Sequence, residues 1–62
     1  MKRASYREAV AWIALNDSAG EDELDPKAVS ELVSSALVAD IFGVTEAKVA
    51  EDVIRYRRRN PS

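Results

Sequence analysis

Four arginines crowd into five positions near the end of the chain, Arg55, Arg57, Arg58 and Arg59, with Tyr56 among them. Guanidinium groups at this density hold phosphate or carboxylate through charge-assisted hydrogen bonds. Cations in the last turn of a helix also complement its dipole, by about 0.3–1 kcal/mol each, and this accounts for two or three of the arginines. Four exceed that need, so an acidic partner is expected. The rest of the chemical inventory is short. The chain has no cysteine and no histidine, which removes disulfides, thiolate and imidazole metal sites, cysteine nucleophiles and histidine bases. Its carboxylates fall in a loop or on solvated helix faces with no convergent pocket, so neither an enzyme nor a cofactor is expected. The acidic stretch from Asp17 to Asp25 does not fit a calcium loop either. Placing Gly20 at the sixth position puts Leu15 first, where an oxygen ligand is required.

Charge is arranged more tellingly than its total of -2. Lys2, Arg3 and Arg7 make the start basic, the four arginines make the end basic, and the segments between are acidic. If the fold brings the ends together they form one basic patch. With 62 residues the chain is a single domain, small enough that one core is marginal without help from metal, disulfide or self-association. No apolar run approaches the roughly 18 residues of a membrane span, and "MKRASYREAV" lacks the apolar core of a signal peptide. A cytoplasmic protein without membrane contact is expected.

Three helical segments must position the arginines. The first starts at a capping box, Ser5 with Glu8, and carries Tyr6, Ala9, Val10, Ile13 and Ala14 on one face, which predicts a helix over 5–16. Trp12 and Leu15 lie off that stripe. Either the following loop folds back over them, the preferred reading, or they form a partner-binding surface. The second segment opens with Asp25 as cap and Pro26 in the first turn. Its stripe of Val29, Leu32, Val33, Ala36 and Leu37 predicts a helix over 26–42. Val38, Ile41 and Phe42 point elsewhere, so the helix either bends near Ser34 and Ser35 or buries a second face against a partner. Gly43 ends it, and Thr45 caps a third helix over 46–59 with Val49, Ala50, Val53, Ile54 and Tyr56 on its apolar side. With no strand pattern and no repeat, the expected fold is an all-α, compact three-helix domain spanning 1–62, the second helix broken or bent.

The stretch "LVADIFGVTEAKVAEDVIRYR" resembles the helix-turn-helix segment of DeoR-type bacterial repressors, through Ala39, Ile41, Phe42, Gly43, Val44, Thr45, Val49, Asp52 and Val53. The resemblance covers about a third of the chain and marks 35–59 as helix-turn-helix-like. It implies a regulatory or accessory protein that binds double-stranded DNA. Thr45 and Lys48 would then face the groove, while Lys2, Arg3, Arg55, Arg57, Arg58 and Arg59 would contact phosphates. The chain departs from that family at the groove-facing positions, where Glu46, Ala47, Ala50 and Glu51 stand in place of basic and polar residues. That family also follows its motif with a wing or larger domain, which is not expected here. The layout looks like small open reading frames of bacterial plasmids and prophages. The alternative is a protein-interaction module whose basic tail docks on an acidic protein partner. A homodimer is expected as well, through Trp12, Leu15, Val38, Ile41 and Phe42.

Overall fold

The computed structural model describes residues 5–17 and 24–60 and folds them into four helices. They are α1 (Tyr6–Asn16), α2 (Pro26–Ser30), α3 (Val33–Phe42) and α4 (Glu46–Arg59), and no strand occurs among the described residues. The chain is all-α, as its periodicity requires. No helix among those residues is long and apolar enough to cross a membrane.

The caps sit where the side chains dictate. Ser5 Oγ accepts from the Glu8 N–H at 3.2 Å, forming that half of the capping box, Asp25 accepts from the Lys27 N–H at 3.2 Å, and Thr45 accepts from the Lys48 N–H at 3.0 Å. Each bond satisfies one of the donors that the first turn of a helix leaves open. Gly43 follows α3 in the left-handed region (φ 67°), and the Val44 N–H then donates to the Ala39 carbonyl at 3.0 Å. A side chain at that φ would be strained, so glycine is what allows a three-residue turn into α4.

The other three helices all pack on α4. The core is built from Val10, Ile13, Val29, Val38, Ala39, Val49, Ala50, Val53 and Ile54. Ala50 is therefore an interior residue, not one that faces a groove. The small side chains of Ala39 and Ala50 are both buried where helices meet, which is the use of small residues at a close crossing.

The second predicted helix is broken, but not at its serines. α2 stops after Ser30, Glu31 keeps helical angles, and Leu32 becomes extended (φ -64°, ψ 142°) before α3 begins. Ser30 Oγ donates to the Lys27 carbonyl at 2.8 Å, and the Leu32 N–H donates to the Val29 carbonyl at 3.2 Å in a tightened last turn. Ser35 acts as a clasp. Its buried hydroxyl donates to the same Val29 carbonyl at 2.7 Å and ties the first turn of α3 to the end of α2.

One extended residue at Leu32 resets the helical phase and overturns the predicted stripe. Val29 is buried, but Val33, Ala36 and Leu37 face out, while Ser35, Val38 and Ala39 turn in. Val38 is thus a core residue and Phe42 is half-buried with its ring edge-on to Tyr6, centroids 5.5 Å apart. Neither is available as the dimer surface expected from the sequence. Trp12 and Leu15 stand exposed, and the loop expected to fold over them lies largely outside the described residues. Arg57 Nη2 donates to the Asp17 carbonyl at 2.5 Å and draws the exit of α1 toward α4.

The adjacent serines give a test of opposite signs. Ser35→Ala should lower stability by about 1–2 kcal/mol, because it removes a buried hydrogen bond that holds the break. Ser34 Oγ is buried without a partner among the described residues, so Ser34→Ala should be neutral or stabilising by up to about 1 kcal/mol. Urea denaturation of the two variants reads both. Equal losses would show that the clasp contributes nothing.

Candidate anion-binding site

α4 carries its charge in two zones. In the first half, Glu46 and Glu51 stand exposed, and the cations beside them are engaged. Lys48 Nζ lies 3.4 Å from Asp52 Oδ2, and Arg55 Nη2 lies 2.9 Å from Glu51 Oε1 with its Nη1 3.8 Å from Asp52. The exposed i,i+4 pair of Arg55 with Glu51 contributes only about 0.3–0.5 kcal/mol, but together these pairs neutralise the helix's outer face. Thr45 has its hydroxyl oxygen in the cap. The residues expected to face a DNA groove therefore sit in an electrostatically neutral to acidic setting.

The second zone is basic and shared between two helices. Tyr6, Arg7 and Val10 of α1, with Asp52, Arg55, Tyr56 and Arg59 of α4 and the following Asn60, line a groove of about 460 Å³. It holds three guanidinium groups against one carboxylate, and that carboxylate is already engaged by Tyr6, Lys48 and Arg55. Arg7 and Arg59 have no hydrogen-bond or ion-pair partner among the described residues. Arg58 lines a smaller neighbouring depression of about 250 Å³ with Pro26, Glu51, Ile54 and Arg55. Arg55 lies between the two.

The predicted phosphate ligands thus divide. Arg55 and Arg59 share the groove and Arg58 adjoins it, whereas half-buried Arg57 is turned to the Asp17 carbonyl and serves the fold. Lys2 and Arg3 lie outside the described residues. Sequence reasoning did not single out Arg7 and Tyr6 as site residues. The available signal was their spacing: Tyr6 and Val10 lie one helical turn apart on the buried face, and Arg7 flanks that face.

Tyr6 anchors the floor of the groove. Its hydroxyl donates to Asp52 Oδ2 at 2.5 Å. Partial burial, then this bond and the nearby Asp52 and Glu51 charges, hold the phenol well above its ordinary titration range. Because folding raises this value, the contribution to stability is complete below about pH 10, the unfolded value, and is lost as pH rises through the folded one. Absorbance titration should accordingly show a late phenolate step that disappears in Tyr6→Phe. A Tyr6→Phe titration identical to the parent's would contradict the Tyr6–Asp52 bond.

The chain matches no protein-family model, and no curated protein or solved structure shows significant similarity to it. The reading of the groove therefore rests on its own chemistry. Unpaired guanidinium groups beside aromatic rings suit oxyanions, of which backbone phosphates are the commonest macromolecular source.

Proposed function

We propose that the chain is a small non-enzymatic nucleic-acid-binding protein with a helix-turn-helix-like C-terminal half, an accessory or regulatory factor that grips phosphates where α1 meets the end of α4. The observation that carries this reading is the convergence of Arg7, Arg55 and Arg59 on one groove between two tyrosines, with Arg58 alongside. Contact through phosphates rather than base edges fits the acidic first half of α4, which is repelled by a backbone it would have to approach closely. Fluorescence anisotropy with mixed-sequence duplex at low salt tests it. Binding should appear and weaken steeply with added salt, with a logarithmic slope near -3 for three to four phosphate contacts at about 0.9 per contact. Absence of binding at low salt would end the proposal.

A second reading has an observation of its own. The exposed Glu46 and Glu51 on α4 suit a protein-interaction module that uses the helices as a scaffold.

A further inference from the structure

We infer that the outer face of α3, with the flank of α1 that carries Trp12 and Leu15, is the self-association surface of this chain, and that its occupant is a second copy related by a two-fold axis. Asp40 is the only charge in α3, VSSALVADIF. A helix apolar on all sides is ordinarily buried on all sides, yet here Val33 is 85% exposed, Leu37 58% and Ile41 52%. These three recur every four residues and form one ridge along the helix. On α1, Arg7 and Val10 face α4 across the groove, so the flank with Trp12 and Leu15, 55% and 71% exposed, is turned away from the basic end. The radius of gyration, 10.7 Å, is that of a compact chain of this length, roughly 11 Å. The exposed apolar residues are therefore not the product of an open fold.

A second copy is the occupant that the face fits. It carries few charges by which to select a foreign partner, exposed Asp40 on α3 and exposed Glu8 one turn before Trp12 on α1. A ridge at four-residue spacing can pack into the groove beside the same ridge of another copy, the commonest way two helices cross, and a two-fold operation makes the contact self-complementary. Area supports a dimer of modest strength. Five side chains at roughly 100 Å² each, from about 25 cal/mol/Å² and 1.5–3 kcal/mol per side chain, supply on the order of 500 Å² per copy. Exposed Ala36 extends this toward the 600 Å² or so per partner at which specific interfaces begin.

This inference is independent of nucleic-acid binding and is tested without nucleic acid. Sedimentation of the full chain from about 10 to 500 μM should show the mass rising from monomer toward dimer, with the emission of Trp12, the single tryptophan, shifting to the blue. Leu37→Glu and Val33→Glu should each remain monomeric throughout, with unchanged helical circular dichroism and no shift. If Leu37→Glu loses helicity, Leu37→Gln takes its place and should raise the dissociation constant at least tenfold. A parent that stays monomeric at 500 μM overturns the inference. A dimer untouched by these substitutions, or open-ended association, overturns it equally.

Discussion

Ile13→Ala is expected to leave much of the chain unfolded at room temperature. Ile13 is fully buried at the centre of α1, which packs on both α3 and α4. Removing three carbons from such a site costs about 2–5 kcal/mol, because the lost transfer free energy is joined by a cavity that two rigid helices cannot close. A single core in a chain of this size supplies only about 3–5 kcal/mol in total. The change is therefore comparable with the whole stability. The control is Leu15→Ala, two positions along the same helix but exposed. At low micromolar concentration it should stay within about 0.5 kcal/mol of the parent. Urea denaturation followed by circular dichroism separates them, and an Ile13→Ala chain as stable as Leu15→Ala would contradict the placement of α1.

The second large effect is electrostatic. Arg7→Glu with Arg59→Glu reverses two of the three guanidiniums in the groove, and duplex affinity at low salt should fall more than tenfold. The logarithmic salt slope should shrink by about 2, since two phosphate contacts at about 0.9 each are lost. Glu46→Lys with Glu51→Lys should do the opposite, tightening binding several-fold, because it removes two repulsive charges and releases Arg55 from its 2.9 Å pair with Glu51. Under the interaction-module reading, neither pair changes duplex binding and the Glu→Lys pair loses a protein partner instead. Arg57→Gln is the informative exception among the arginines. It should reduce stability through the lost bond to the Asp17 carbonyl while leaving the salt slope near that of the parent.

The parts of this fold that depend on neighbours in sequence were legible before any coordinates. Ser5, Asp25 with Pro26, Thr45 and Gly43 declare themselves by chemistry that acts over two to four residues. The α4 stripe of Val49, Ala50, Val53 and Ile54 is an unbroken run of one period, so its buried face follows from spacing alone. The failure came at α2 and α3, where a period of 3.6 was carried across an extended Leu32 that resets it. The uninterrupted period places Val33 and Leu37 in the core for that reason and leaves Ser35 and Val38 out of it. Nothing local marks Leu32, which has no capping side chain. The break is held by the Ser35 hydroxyl reaching Val29, a contact that exists only once the chain has turned.

The candidate site was half legible for a related reason. The arginine cluster is visible as composition, and its assignment to an acidic partner needs only charge. Which arginines share a groove depends on contacts across the sequence, such as Tyr6 to Asp52 and Arg57 to Asp17, separated by 46 and 40 positions. Those pairings turn Arg57 into a structural residue and bring Arg7 into the site. No periodicity encodes them.

The central claim is that phosphates are held at the junction of α1 with the end of α4, and mapping the contact on the protein tests it most directly. In a nitrogen-15 spectrum recorded during titration with short duplex at low salt, the side-chain Nε–H signals of Arg7, Arg55, Arg58 and Arg59 should move first and together. The backbone amides of Thr45, Glu46 and Lys48 should stay nearly still. Shifts concentrated at Thr45, Glu46 and Lys48 would mean that α4 enters a groove by its N-terminus after all, and shifts at neither end would contradict a nucleic-acid partner altogether.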